Sequence, residues 1–307
     1  MSFTYTKYYN NSICMKIIDS FMFFDENMLL DLRLNILNKH VSKFIICEAT
    51  YNHNGLKKKL NFDIKNFSKF KSKIDYIILD EQPKNLRKIN QDDSAQSKES
   101  KILDNALIRE NFQRNYANKK LLDFNDNDLI LINDLDEIPN LENFKYKNKI
   151  TIFKQKMLYF KFNLMYPEIL WSGSKISKKK HLINPQWLRN VKTKKYSWWR
   201  PDILFSKKRF NDIQIINDGG WHFTNIKSPQ EIHHKMKNFL HHYEYENSGI
   251  NENDIKKLIK DRKALYNYSA DQREQKWSNN LNLKKISLNK LPDYIAKNKN
   301  KYVDWLD

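Results

Sequence analysis

Apolar and polar positions along the first half of the chain alternate between two periods, and together they predict an α/β protein. "MKIIDSFMFF" (15–24) reads as a first strand. "ENMLLDLRLNILNKH" (26–40) carries apolar residues at Met28, Leu29, Leu32, Ile36 and Leu37, the spacing of an amphipathic helix. "SKFIICEAT" (42–50) is a second strand ending at Glu48, and "KIDYIILDE" (73–81) a third ending at Asp80. Residues 84–104 are polar and lack apolar periodicity, so they read as a loop. "LIRENFQRNYANKKLLD" (107–123) resumes as a helix and leads into "LILINDLDEIP" (129–139), the fourth strand. Its unbroken aliphatic run, Leu129 to Ile132, is what a strand buried on both faces requires.

Beyond residue 150 the pattern is strand-like and aromatic in "TIFKQKMLYFKFNLMY" (151–166). "DGGWHFTNI" (218–226) then leads to a helix whose start is marked by Ser228 as N-cap and Pro229 at the first helical position. The tail from about residue 251 is polar and helical. There is no internal repeat and no clear linker. The expected organisation is an N-terminal extension (1–14), one catalytic-size domain (15–250) and a helical C-terminal appendage (251–307).

The fourth strand ends in three acids, Asp134, Asp136 and Glu137, before Pro139. Carboxylates so placed repel one another unless a cation sits among them; the alternative is a strand that meets solvent and turns at the proline. Asp134 and Asp136 form a DxD pair, and in strand geometry their side chains point the same way, roughly 6–7 Å apart along the chain. That spacing suits one carboxylate on Mg²⁺ or Mn²⁺ and the other on a water or a sugar hydroxyl. Asp19, Glu48 and Asp80 stand near the ends of other strands, where open α/β sheets bind their ligands.

Composition narrows the classes. Hydrophobic residues make up 40% and aromatic residues 13% of the 307, which is a folded protein's composition. No apolar run approaches the ~18 residues of a membrane span, and the N-terminal stretch has no signal-peptide core. Cys14 and Cys47 are too few for a disulfide framework or a cysteine-rich zinc site. The cytoplasm is the expected location. A net charge of +19 could serve nucleic acid, anionic lipid or a phosphorylated substrate. The excess is mostly scattered lysine beside abundant asparagine and isoleucine, so general lysine enrichment comes ahead of a dedicated nucleic-acid surface. "LKKKL" (56–60) and "SKKKH" (177–181) read as solvated loops.

Several stretches in order resemble glycosyltransferase family 17, the group that includes the enzymes adding the bisecting N-acetylglucosamine to N-glycans. They are "DSFMFFDENMLLDLRLNIL" (19–37), "FIICEATYNHNG" (44–55), "ENFQRN" (110–115), "LILINDLDEIP" (129–139), "WLRN" (187–190) and "GGWHF" (219–223). The resemblance spans roughly residues 15 to 245 and begins at Met15, a candidate start. It implies a GT-A type fold with a Rossmann-like nucleotide-binding sheet, a UDP-sugar donor (UDP-N-acetylglucosamine by family precedent) and inverting transfer to a glycan acceptor. By the same resemblance Asp134 and Asp136 bind the metal–diphosphate, with His222 a further metal or phosphate ligand. The competing role for His222 is a structural histidine held by a turn. Gln113, Arg114 and Asn115 are candidates for the nucleotide, with Arg114 equally able to pair with a carboxylate on its own helix. Asp19 and Glu48 are candidates for uridine or ribose, or merely strand-terminal acids. Lys235 is a candidate phosphate contact, and His241 falls where the family has a histidine. The remaining histidines of that helix, His233, His234 and His242, read as solvated or packed: positions seven apart lie roughly 10 Å apart along a helix. Trp171 is the candidate for stacking on an acceptor sugar. For the base that deprotonates the acceptor, Glu137, Glu168, Asp202 and Asp218 all stand open. The expected acceptor is a lipid-linked or surface-polysaccharide precursor met by peripheral contact with an anionic membrane. Rival readings are a basic nucleic-acid-binding protein, a metal-dependent hydrolase and a silent family member that binds a glycan.

Overall fold

The computed structural model describes residues 15–194, 196–197, 199–207, 209–239, 242–268, 277 and 281–307, the side chains at 168 and 204 excepted. The 1–14 extension, Trp198, His241 and the carboxyl group of Glu168 thus lie outside the described residues. The protein is mixed α/β, built on two mixed sheets.

In the first sheet β1 (Ile17–Phe23), β2 (Lys43–Ala49), β3 (Ile74–Leu79) and β4 (Leu129–Ile132) run parallel, in the spatial order β3-β2-β1-β4. The strand order thus reverses direction between β1 and β4, as in doubly wound α/β sheets. β5 (Glu137–Pro139) opens the second sheet. The chain then alternates: β6 (Ile150–Phe153) in the first, β7 (Gln155–Tyr159) and β8 (Leu164–Trp171) in the second, β9 (Lys175–Lys178) and β10 (Ile213–Ile216) in the first. β11 (Gly220–Thr224) and β12 (Lys284–Lys285) complete the second. The sheets read β10-β6-β9-β4-β1-β2-β3 and β12-β8-β7-β11-β5. The chain therefore changes sheet over a few residues between β4 and β5, β6 and β7, β8 and β9, and β10 and β11, and over the longer stretch 140–149 between β5 and β6. The acidic turn 133–136 is one of these crossings.

The helices are α1 (Asn27–Leu37), α2 (Ala95–Tyr116), α3 (Asn118–Leu121), α4 (Pro185–Asn190), α5 (Pro201–Leu204), α6 (Pro229–Asn238), α7 (His242–Asn247), α8 (Glu252–Lys260) and α9 (Asp293–Lys297). Strand alternation explains the core. Leu129 and Leu131 of β4 join Phe21, Phe44 and the α1 leucines on one face, while Ile130 and Ile132 join Ile18, Ile45 and Trp187 on the other. β4 is buried on both faces, as its aliphatic run requires. α6 starts where expected, with Ser228 and Glu231 forming a reciprocal capping box.

Two expectations are corrected. The loop read over 84–104 ends at Ser94, whose hydroxyl caps α2 by accepting from Ser97 N. This helix buries Asn105, Gln113 and Arg114 with only Ala106 as apolar company, so it carries no apolar period. Asn105 instead exchanges two hydrogen bonds with the backbone of Arg87 and ties down the loop before it. The tail is helical only in part and does not stand apart. β12 pairs with β8, and Ile286, Leu291, Ile295 and Tyr302 enter the same core as β1 and α1.

Candidate active site

The arginines that hold the acidic turn come from three different helices. Arg33 lies on the buried face of α1 and is fully excluded from solvent. Its Nε and Nη2 donate to the two oxygens of Asp19 at 2.8 and 2.7 Å, a two-pronged bond inside the core. Its Nη1 reaches across to the carbonyls of Leu135 (3.2 Å) and Glu137 (2.5 Å). Asn133 Nδ2 also donates to Asp19, at 2.6 Å. Asp19 therefore sits mid-strand beneath the turn and fixes its backbone through Arg33; the nucleotide role is not open to it.

Around the turn two arginines divide two carboxylates. Arg114 Nη2 donates to Asp134 Oδ1 at 2.8 Å and to Glu110 Oε1 at 2.9 Å, so it pairs both across the fold and along its own helix. Arg189 of α4 donates to Asp134 Oδ2 and to both oxygens of Glu137, each at 2.6 Å. Burial would raise the Asp134 carboxyl, but Arg189 and Arg114 outweigh it and hold it well below the usual carboxylate range. Glu137 also accepts from Trp171 Nε1 (2.5 Å) and Asp134 N (3.0 Å) and has no exposed surface. It anchors the turn and has no lone pair facing the cavity for base chemistry. The chain leaves it room at Gly173, where a Cβ would lie 2.0 Å from Glu137 Oε1.

α4 is itself held from below. Lys175 on β9 is 4% exposed and donates to the carbonyls of Arg189 and Val191. Burial, with Arg189 close by, brings its ammonium down to about 7. The unfolded chain then binds a proton that the folded one does not between pH ~7 and ~10.4, so stability rises with pH across that window. We expect wild type to gain up to about 1.4 kcal/mol per pH unit over Lys175→Met between pH 7.5 and 9.5. Urea unfolding at several pH values measures it; parallel profiles of the two proteins would mean that Lys175 stays charged.

These elements border a cavity of about 420 Å³ at the carboxyl ends of β1 and β4, within the range of ligand pockets. Asp136 lies on its wall, with Oδ1 3.5 Å from His222 Nε2 and Oδ2 4.0 Å from Lys235 Nζ. His222 is positioned by β11, stacked on Trp171 (ring centres 4.9 Å apart) and beside the Thr224 hydroxyl. The Gly219-Gly220 turn before it serves packing between strands rather than approach to a ligand. Gly220 has φ +118°, and a Cβ there would meet Ile138 O at 2.3 Å. Lys235 also pairs with Glu26 at 3.2 Å; its charge outlasts burial because Glu26 and Asp136 hold it. Gln113 donates to Cys47 O at 3.0 Å and meets His53 Nε2 at 3.3 Å, and both line the cavity.

Other expected residues stand elsewhere. Glu48 accepts from Lys58 Nζ, Asn61 N, Phe62 N and the Tyr76 hydroxyl, and is fully buried. It organises the loop 52–62 and is not available to a ribose. Lys58, expected in a solvated loop, is folded back onto Glu48 and faces the cavity. Asn115 accepts from Gln186 N at 2.8 Å, at the start of α4, outside the cavity lining. Asp202 is an exposed acid between Arg200 and Arg209, and Asp218 an exposed partner of Lys156; neither borders the cavity. Trp171 borders it with one ring face already covered by His222. His233 bonds the Tyr245 hydroxyl (2.6 Å) and His242 the Phe239 carbonyl (2.9 Å), the packed roles expected of them. Sequence reading passed over Arg33, Arg189, His53 and Glu110. Arg33 was signalled by its place between Leu32 and Leu34 on an apolar helix, and Arg189, His53 and Glu110 by lying within "WLRN", "FIICEATYNHNG" and "ENFQRN".

For a divalent ion, Asp136 and His222 offer one oxygen and one nitrogen converging at the cavity wall, while both oxygens of Asp134 are bound by arginine. Among the described residues no group of three or more His, Cys, Asp or Glu side chains is gathered to hold a metal unaided. Two protein ligands fit an ion that completes its shell with water and substrate phosphate. No helix among the described residues is long and apolar enough to cross a membrane. A comparison with curated proteins finds no match. The family model described as Glycosyltransferase family 17, in contrast, matches residues 4–306, so the likeness read over 15–245 extends through the tail that packs into the core, and the chain belongs to this family of glycosyltransferases.

Proposed function

We propose that the protein transfers a sugar, N-acetylglucosamine first among those to test, from a UDP-sugar to a glycan hydroxyl with inversion. The fold in this reading is of GT-A type, and the donor lies in the cavity at the ends of β1 and β4. One observation carries it: the Asp136–His222 pair, with Lys235 beside it, shares the lining of one ligand-sized cavity with Lys58, Arg114 and Arg189. That arrangement suits a diphosphate, whose charge grows as the sugar leaves. Mn²⁺ or Mg²⁺ held by Asp136 and His222 would supply Lewis-acid stabilisation of the leaving diphosphate. Asp134 in this reading acts by holding Arg114 and Arg189 at the wall, and Gln113 orients His53. Lys235 and Lys227 outweigh burial and hold the Glu26 carboxyl down to about 2, which makes it a poor proton acceptor at neutral pH. Among the described residues of the cavity wall, Glu110, held by Arg114, is the carboxylate left to take the acceptor's proton.

The test is the thermal midpoint with UDP, with and without Mn²⁺. A ligand that binds only the folded state stabilises it by about 2.7 kcal/mol at a hundredfold excess over its dissociation constant. A shift that needs both components is expected. No shift with any nucleoside diphosphate, with or without metal, would overturn the reading. A shift with UDP alone would keep the donor site and remove the metal from it.

A further inference from the structure

The segment after α4 is strongly basic and carries exposed aromatic rings. Residues 192–209 contain seven lysines and arginines (Lys192, Lys194, Lys195, Arg200, Lys207, Lys208, Arg209) against the single acid Asp202. Within it Trp199 is 69% and Phe205 88% exposed, far above what aromatic side chains of this size normally show. Their presentation is organised. Arg200 donates to both oxygens of Asp202, at 2.9 and 3.0 Å, and Arg209 joins the same carboxylate at 2.5 Å. The two guanidiniums also lie over the Tyr196 ring, 5.6 and 5.7 Å from its centre. The segment is tied to α4, where Trp187 donates to Lys207 O and packs edge-on against Phe210. α4 also carries Arg189 at the cavity wall.

We propose that the described residues of this segment form a docking surface for an anionic lipid bilayer, with Trp199 and Phe205 entering the interface and the exposed Lys192, Lys194 and Lys207 meeting the headgroups. Aromatic rings favour the headgroup level of a bilayer, and clustered lysine and arginine are drawn to its negative surface. Charge complementarity and the two projecting rings together select this occupant. Single-stranded nucleic acid, whose bases could also stack on exposed rings, is the competing occupant that the experiment separates. Docking through this segment would bring the helix that holds Arg189 to the membrane surface.

The experiment is co-sedimentation of the full chain with phosphatidylcholine vesicles, with and without phosphatidylserine, alongside a short single-stranded RNA as competitor probe. Binding is expected only when phosphatidylserine is present, weakening with salt. The doubly substituted Trp199→Ser, Phe205→Ser protein should lose about tenfold or more of its partitioning, because two large apolar groups leave the interface. Trp199→Phe should retain it. Both positions are exposed, so unchanged thermal midpoints would show that the variants fold. Three outcomes would overturn the proposal: no vesicle binding, binding unaffected by the double substitution, or binding to RNA alone that the double substitution removes. None of these readouts involves sugar transfer, so failure here leaves the proposed function standing, and the reverse.

Discussion

Replacing Arg189 by alanine is expected to lower the free energy of unfolding by about 3–5 kcal/mol, the loss typical of breaking a buried ion pair from one side. Arg189 donates twice to Glu137 and once to Asp134, all at 2.6 Å, and Glu137 has no exposed surface. The truncation leaves Glu137 with Trp171 Nε1 and Asp134 N as donors but with no counter-charge. Asp134 would retain Arg114. Arg189→Lys should fall between, because an ammonium keeps the charge and loses the planar fork that serves two carboxylates at once. Urea unfolding of the three proteins at neutral pH decides the matter. A loss under 1 kcal/mol in the alanine variant would mean that Glu137 finds another partner or takes up a proton.

Asp136→Ala should do the opposite: leave stability nearly intact and remove activity. Among the described residues its carboxylate makes long contacts, 3.5 Å to His222 and 4.0 Å to Lys235. Under the proposed mechanism, the same change removes an oxygen ligand at the point where charge develops. Transfer should fall about a thousandfold, ~4 kcal/mol of transition-state stabilisation. The UDP-dependent thermal shift should lose its metal requirement as well. Initial rates with a UDP-sugar, beside the midpoint of the unliganded protein, separate the two effects. Full activity in Asp136→Ala would end the metal proposal. Asp134→Ala is the informative contrast: it takes one of two carboxylate partners from each of Arg114 and Arg189, so stability and rate should drop together. Sequence spacing treats the two aspartates alike, and their surroundings do not.

That contrast shows where sequence reading stops. The aliphatic run 129–132, the α1 period and the Ser228-Pro229 start declare themselves locally, because burial on two faces, amphipathic spacing and capping are properties of neighbouring residues. The start of α2 did not, since its buried side chains are polar and satisfied by partners far along the chain. The acids illustrate the same limit. Asp19, Glu48, Asp134, Asp136 and Glu137 look equivalent as strand-end carboxylates. Arg33 claims the first, the loop 52–62 the second, and Arg189 bridges Asp134 and Glu137.

By itself, the sequence determined an α/β chain, a buried fourth strand ending in a DxD turn, and an ordered set of stretches specific enough to indicate its family. Only the tertiary structure decided which carboxylates are structural and which faces a cavity. The reason is physical: a carboxylate's role follows from the charges and donors within a few ångströms of it, and here those come from α1, α2, α4 and β11, up to about a hundred residues away.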